Sequence, residues 1–436
     1  MNIENGLKRY VGIKPPKGFL PRDIAIQIPS GRLMNAIIGP RRAGKTTFML
    51  QILDSSELPE SNKIFINCED VNFEGITTDD LDKIEEAIFK IYAPDDKKEI
   101  CLFIDEIQNF PSWSRWLRTL FDENKYKLTV SGSTSELSTF KVPSALRGRA
   151  LNTLVMPFSF AEFLMAKKFT SYSRHIKVQD SGSLVSLLEQ YLKYGGYPAI
   201  VTESSANTKM QIIQELYETV IQRDIIEKNK IRKTEVLRIF LNAALGSACR
   251  ELSISTMQEW FKAKSILISK QTVSNYISFA EDVFLFFKIY PFSLSPRERQ
   301  VKPRLYLADS GFLTMIGDDA SKRLENQIFV ELVRRKKAIH YWKDQASGKE
   351  VDFVIGKDKA DEIIQISYGL SDPQTYKRET DSIAIASEKL HCNKLKIITM
   401  NEERLIRIKG KRIEVVPAWK WLLDYGVVYP EVHELV

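Results

Sequence analysis

Residues 33–53 read LMNAIIGPRRAGKTTFMLQIL, and the first third of the chain can be built outward from them. Leu33 to Ile38 is an apolar run of strand length, and helical spacing resumes at Phe48, Met49 and Ile52. Between the two stands Gly39-Pro40-Arg41-Arg42-Ala43-Gly44-Lys45-Thr46. Strand, G-x-x-x-x-G-K-[ST], helix is a phosphate-binding loop in the context its physics requires. Gly39 and Gly44 let the backbone wrap an anion, whose oxygens then meet loop N–H groups and a helix N-terminus. Pro40, Arg41, Arg42 and Ala43 complete the expected nucleotide-binding loop. Lys45 is expected on the β- and γ-phosphates, the Thr46 hydroxyl on Mg²⁺, and Thr47 near the α-phosphate.

A second segment, ICLFIDEI at residues 100–107, is an apolar strand that ends in two carboxylates. Asp105 is expected to hold the Mg²⁺ shell and Glu106 to polarise an attacking water as general base. A carboxylate placed for water points to hydrolysis over transfer to another acceptor. A third strand, Lys127 to Val130, runs into Ser131-Gly-Ser-Thr-Ser135, where Ser133, with Ser131 next, is the expected γ-phosphate sensor. A plain serine-rich turn is the alternative. In Leu146-Arg-Gly-Arg149, the guanidinium of Arg149 is a candidate for stabilising the phosphoryl transition state, in its own subunit or in a neighbour, with a plain surface arginine as the alternative.

At 436 residues, with 44% apolar and 27% charged side chains, the chain has the composition of folded protein. Its length suits about two to four domains. The densest apolar run, Val283 to Tyr290, is interrupted by Lys288, so no bilayer span and no membrane partner are expected. MNIENGLKRYVGIK at the start lacks the apolar core of a signal peptide, and a cytoplasmic location follows as an expectation. Cys68, Cys101, Cys249 and Cys392 lack metal-ligand or redox spacing and read as reduced core thiols. The net charge of +7 is unevenly spread: Arg232 to Arg304 carries twelve Lys/Arg against six Asp/Glu. Such a segment fits a nucleic-acid or anionic surface, or a solvated basic face.

The motifs GPRRAGKTT, FIDEIQNFPSWSRWLR, SGSTSELSTF, LRGR and PFSFAEFL occur in the order of a family of AAA+-type ATPases. That family is widespread in archaea and many bacteria and related to the origin-recognition and STAND branches. The resemblance continues through YGGYPAIV (194–201), QRDII (222–226), RLYLADSGFL (304–313) and YWKDQASGKEVDFVI (341–355). It implies an α/β fold: a P-loop AAA+ core, a parallel sheet flanked by helices, at 1–160 and a helical lid at 161–230. A winged-helix domain at 231–308 and a degenerate restriction-endonuclease-like α/β domain at 309–436 follow. It also implies ATP as nucleotide, and no guanine-reading N-K-x-D follows the 100–107 strand. Arg41 and Arg42 match paired arginines that the family carries inside its loop.

In the middle of the chain, helical spacing runs through Leu184, Leu187, Leu188 and Tyr191, breaks at Gly195-Gly196-Tyr-Pro198, and resumes from Ile212 to Ile226. Arg223 in that helix is either a second phosphate sensor or a salt-bridged surface residue. Three further helical patterns between 235 and 287, followed by the strand-like FLFFKIYPFS, suggest a winged helix. In that fold the third helix enters the major groove. Lys270, Gln271, Ser274 and Asn275 would then meet DNA, with Arg297, Arg299, Lys302 and Arg304 on phosphates near a wing. A protein-contacting or lid-regulating module is the alternative.

Towards the C-terminus, Glu325, Asp352 and the strand carrying Gln365-Ile366-Ser367 occupy the positions of a nuclease-like metal site. Phosphodiester hydrolysis with Mg²⁺ needs acidic ligands on adjacent strands and a lysine beside the water. Gln365 is a weak ligand, Ser367 cannot supply the charge, and Lys357 and Lys359 sit at the wrong spacing. Cleavage is therefore not expected. The expected function is a Mg²⁺-dependent ATPase acting on or with DNA, with ATP/ADP as ligands and homo-oligomerisation left open. A STAND-like switch whose ATP state controls assembly, or an ATP-gated nuclease, are the alternatives.

Overall fold

A computed structural model of the chain describes residues 2–24, 33–135, 149–169, 181–292 and 302–424. The chain divides into two compact units, Met1–Met156 with Asp282–Phe284, and Pro157–Glu281 with Leu285–Val436.

The first unit opens with a short helix α1 (Ile3–Lys8) and then alternates strand and helix: β1 (Met34–Ile38), α2 (Lys45–Ser55), β2 (Lys63–Asn67), α3 (Leu81–Tyr92), β3 (Ile100–Asp105), α4 (Trp113–Glu123), β4 (Tyr126–Gly132) and β5 (Ala150–Leu154). The strands form one sheet in the order β2-β3-β4-β1-β5, parallel at every pairing. β1 is buried at all five positions, as a strand covered on both faces must be, and this is why its sequence reads as unbroken apolar. The helices bury one stripe each: α3 through Leu81, Ile84 and Ile88, and α4 through Trp116, Leu117 and Leu120. Ile37, Phe48, Met49, Leu53, Phe65, Phe103 and Val155 form the core between α2 and the sheet.

The second unit begins with helices α5 (Phe160–Ala166), α6 (Ser181–Tyr194), α7 (Pro198–Thr202) and α8 (Ala206–Thr219). Ser159 caps α5 through a reciprocal pair with Glu162, at 2.8 and 3.1 Å. α8 continues into a π-helical stretch, Val220–Glu227, which carries QRDII. Helical periodicity in the sequence marks the helix but not this wider winding, which is commonly found at functional sites. Next come α9 (Thr234–Gly246), α10 (Ile254–Ala263), α11 (Lys270–Asp282), β6 (Phe286–Pro291) and β7 (Arg304–Leu307). The chain closes with α12 (Ala320–Arg334), β8 (Ile339–Lys343), β9 (Glu350–Ile355), β10 (Glu362–Ile366), α13 (Pro373–Leu390), β11 (Leu395–Thr399), β12 (Arg404–Ile408), β13 (Lys411–Pro417) and α14 (Ala418–Asp424).

Strands β6 to β13 make one eight-stranded sheet, in the order β12-β13-β11-β10-β9-β8-β6-β7. The β6/β7 hairpin, read from sequence as a wing, is thus also the edge of the C-terminal sheet. β6 joins β8 through Tyr290 opposite His340 and Pro291 opposite Tyr341. The sheet therefore runs across residue 308, where the sequence had suggested a boundary. Among the described residues no helix is long and apolar enough to cross a membrane.

Within this unit a buried carboxylate ties two glycine turns together. Asp309 accepts from the Gly196 amide at 2.7 Å and the Gly311 amide at 2.8 Å. Gly195 has φ +79°, and a Cβ there would fall 1.6 Å from an Asp309 oxygen, so the YGGYP break requires glycine. Burial pushes Asp309 up to about 6, although both amides and Arg334 favour the charged form. A pKa raised on folding means that the native state holds the extra proton between about 4 and 6, so stability is lost as pH rises through that window. Asp309→Asn removes this titration. The advantage of the wild type over the variant, read from urea midpoints at pH 4 and pH 7.5, should shrink by up to about 3 kcal/mol as pH rises. A constant gap would refute the assignment.

Candidate functional site

The loop from Gly39 to Gly44 joins the end of β1 to the start of α2, with its curvature set by backbone angles few residues tolerate. Gly39 has φ +149°, and a Cβ on it would lie 2.1 Å from the Val155 carbonyl oxygen, so β5 comes too close for any side chain. Arg42 (φ 61°) and Gly44 (φ 95°) are left-handed, which turns successive amides toward one side and makes an anion-binding concavity. Ala43 is fully buried beneath the loop. Arg22 braces it from behind, its guanidinium donating to the carbonyls of Ala43 and Met156 at 2.8 Å each.

Lys45 is buried at the head of α2. Its ammonium donates to the Gly39 and Pro40 carbonyls at 3.2 and 3.1 Å and pairs with Glu106 Oε1 at 3.2 Å. Thr46 is exposed, and its hydroxyl donates to Asp105 Oδ2 at 2.7 Å; Thr47 beside it is half-buried. β4 lies between β1 and β3, so its C-terminal end arrives between the loop and the two carboxylates. The Ser131 hydroxyl donates to Asp105 Oδ1 and accepts the Glu106 amide at 3.0 Å. The Ser133 amide donates to Glu106 Oε2 at 3.0 Å.

Gln108 lies inside the FIDEIQNF motif without an expected role, yet it donates to Glu106 Oε2 at 2.6 Å and to the Ser133 hydroxyl at 3.3 Å. Glu106 itself is left-handed (φ 51°), which turns its side chain back toward the loop. Burial acts to raise the proton affinity of Glu106, but Lys45 and Gln108 outweigh it and hold the carboxyl below its ordinary range. Asp105 goes the other way, up to about 6, from burial and the charge of Glu106.

The donors fit a Mg²⁺–nucleoside triphosphate. Thr46 Oγ and Asp105 are hard oxygen ligands in contact, the pair type that holds Mg²⁺ together with phosphate oxygens and water. The buried Gln108 Oε1 has no hydrogen-bond partner. Among the described residues no group of three His, Cys, Asp or Glu side chains is arranged to hold a metal, and a nucleotide-borne Mg²⁺ does not require one.

Arg149 is placed elsewhere. It immediately precedes β5, where its carbonyl accepts from the Met34 amide at 2.8 Å, level with the start of β1. β1 and β5 are parallel, so Arg149 stands at the sheet edge opposite the loop, roughly 13 Å of strand away. Its guanidinium pairs with Asp122 at 3.4 Å and lies over the Phe121 ring. It does not reach the phosphate loop of its own chain.

Residues 32–164 match an AAA domain model, 185–322 a domain of unknown function (DUF8612), and 321–421 another (DUF4143). An uncharacterized protein of Methanocaldococcus jannaschii is 32% identical over 417 residues, covering 93% of this chain and 91% of its own. A Haemophilus influenzae protein is 25% identical over 407 residues, covering 92% and 96%. The chain belongs to one family with the Methanocaldococcus jannaschii protein, and its residues 32–164 form an AAA domain. Among solved structures it is similar to the Walker-type ATPase of Pyrococcus abyssi, at 14% identity and TM-score 0.43, covering 66% of this chain and 91% of that one.

Outside its AAA unit, this family member holds a second polar cleft of about 810 Å³ in the eight-stranded unit, lined by Glu325, Glu350, Asp352, Gln365, Ser367 and Glu379 among others. Arg304 was expected on DNA phosphates but is buried here. It donates to Glu350 at 2.7 Å, lies 3.6 Å from Asp352 and stacks on Tyr341. A charge count along the sequence cannot see that burial. Gln365 is committed to structure, accepting from the Asp352 amide at 3.2 Å and donating to Glu379 at 2.6 Å. The Ser367 hydroxyl donates to the Gly369 carbonyl at 2.7 Å. Burial raises Glu325 well above its ordinary range, with the charge of Asp352 adding to it. Asp352 is pushed up to about 7 by burial, against the pull of Arg304.

Of the DNA candidates, Lys270, Gln271, Ser274 and Asn275 are all exposed on α11, with Gln271 donating to Asn275 at 2.8 Å. Arg297 and Arg299 lie outside the described residues. Arg223 is exposed on the π-helical stretch.

Two measurements check these sites. Lys45→Ala should abolish binding of a fluorescent ATP analogue, whereas Glu106→Gln should bind it and release phosphate about 10²–10³-fold more slowly. Arg304→Met takes the buried cation from Asp352, while Glu350 keeps Lys343 at 3.6 Å, and the denaturant midpoint should fall by the equivalent of about 3–5 kcal/mol. Adding Asp352→Asn should restore part of that loss.

Proposed function

We propose that the chain is a Mg²⁺-dependent ATPase that couples ATP binding and hydrolysis to conformational change on DNA. The observation that carries the catalytic part is the convergence of Lys45, Thr46, Asp105 and Glu106 at one sheet edge. Lys45 would bind the β- and γ-phosphates of ATP, and the loop amides would hold the polyphosphate. Thr46 and Asp105 would hold Mg²⁺, which supplies charge neutralisation when bound. Glu106, with its carboxylate fixed by Gln108 and the Ser133 amide, would take a proton from the attacking water. Ser131 would act through Asp105, as a positioning residue. The lack of a guanine-reading motif supports ATP over GTP.

DNA is proposed as the partner on the exposed polar face of α11 and the basic balance between Arg232 and Arg304. The division into core, lid, winged-helix and nuclease-like parts is proposed on the same family resemblance. The C-terminal cleft is proposed to be without nuclease activity. Gln365, Ser367 and the buried Arg304 take the places where a second acid, a lysine and a metal would be needed. ATP turnover by the full chain should rise on adding duplex DNA, and the DNA recovered from those reactions should be uncut. A rate indifferent to DNA of any form or length would remove the partner from this reading, and cleaved DNA would remove the inactive cleft.

A further inference from the structure

Among the described residues, the site as built so far shows no guanidinium to meet the charge that spreads over the γ-phosphoryl oxygens in phosphoryl transfer. Arg149 stands at the wrong edge of the sheet. Arg22 is buried behind the loop on two carbonyls. The two loop arginines remain, and they differ. Arg42 is exposed, with its backbone left-handed. The Arg41 side chain is only 17% exposed and is turned inward, donating to Glu69 Oε1 at 3.0 Å just beyond the end of β2.

Which end of the nucleotide Arg41 faces follows from its neighbours. Glu69 lies just beyond β2, whose Asn67 is opposite Asp105 and whose next residue, Cys68, donates its amide to the Asp105 carbonyl at 3.0 Å. Lys45 belongs to the β- and γ-phosphates and Glu106 to the water that attacks phosphorus. With the strands in the order β2-β3-β4-β1, an Arg41 side chain that reaches from the loop after β1 to Glu69 after β2 passes over the end of β3 that carries Glu106, which is the γ end of the site. Glu69, 39% exposed, holds the guanidinium by a charge-assisted hydrogen bond and so sets its orientation.

We propose that Arg41 is a catalytic arginine supplied in cis by the phosphate-binding loop itself, with Glu69 as its positioning residue. This rests on the ATPase reading above. In the step, the water oxygen forms a bond to the γ-phosphorus while the bond to the β–γ bridging oxygen breaks. The electron pair leaves on ADP, and the water proton passes to Glu106. Arg41 donates to a γ-oxygen and stabilises the dispersed negative charge, so the chain needs no second copy to complete its site.

The experiment uses the full chain with MgATP, and with MgADP plus aluminium fluoride as the transition-state mimic. Arg41→Ala should bind MgATP within about fivefold of wild type, lose at least about 100-fold in kcat, and fail to retain the aluminium fluoride complex. Arg41→Lys keeps the charge without the planar fork and should recover only part of kcat. Glu69→Ala should lower kcat with little change in KM, which a merely structural role would not do. Wild-type turnover with an equally active Arg41→Ala would overturn this proposal alone. So would a rate per chain that rises with protein concentration and is lost in Arg149→Ala. A wild type that binds MgATP and never turns it over would overturn the ATPase reading together with it.

Discussion

The insertion of β4 between β1 and β3 is the constraint from which the N-terminal site follows. With all pairings parallel, Ile38 lies opposite Gly132, and Ile104 lies opposite Val130. The three strands therefore finish at one edge, and whatever follows each of them converges there. β1 delivers the loop, β3 delivers Asp105 and Glu106, and β4 delivers Ser131 and Ser133. Two carboxylates at this depth would be costly alone. Their cost is offset by donors from the other two strand ends, Thr46 and Lys45 after β1 and Ser131 and the Ser133 amide from β4, and by Gln108 just beyond β3 itself. The close approach of Val155 to Gly39 fixes the loop on its other flank.

The C-terminal cleft presents similar ingredients with a different outcome. There too, carboxylates are buried beside a cation, and burial drives Glu325 and Asp352 toward their neutral forms. What separates the two sites is the freedom of the cation. Lys45 is a flexible ammonium held by two carbonyls and one carboxylate at the mouth of an anion-binding loop. Arg304 is a planar group stacked on Tyr341 and fixed within the sheet, only 3% exposed. An incoming phosphate can compete for the first. The second behaves as a built-in counter-ion, and removing it leaves unpaired charge behind.

What was legible in the sequence was whatever is encoded locally. GPRRAGKTT and FIDEI each carry their residues in fixed register with a strand end, so Lys45, Thr46, Asp105 and Glu106 could be placed before any contact was known. The serines after β4 were legible for the same reason, although which of Ser131 and Ser133 touches which carboxylate depends on side-chain direction. Arg149, which the sequence leaves open to a role in its own chain or in a neighbouring copy, stands away from the loop of its own chain, and its nearness in sequence to β4 gives no sign of that. A parallel β5 must begin at the far edge, and that inference was available from strand parity alone. Arg22, Gln108 and the Arg304 cluster were illegible for a different reason. Each acts through contacts spanning 21 to 134 residues, or, for Gln108, through a side chain to which the motif around it assigns no role.

The hydrogen bonding of Glu106 links recognition to chemistry without any moving part. Its Oε1 faces Lys45, while its Oε2 is held by Gln108 and the Ser133 amide. In this state the lysine keeps the carboxylate a weak base. On the ATPase reading, a γ-phosphate drawing on the charge of Lys45 relaxes that hold, while Gln108 and Ser133 keep the carboxylate in position. The proton affinity of Glu106 then rises only when there is a phosphorus for its water to attack, because one ammonium serves both as the substrate's ligand and as the base's suppressor. The same logic extends to Arg41, whose charge also bears on Glu106 and whose carboxylate partner Glu69 is the more exposed member of its pair.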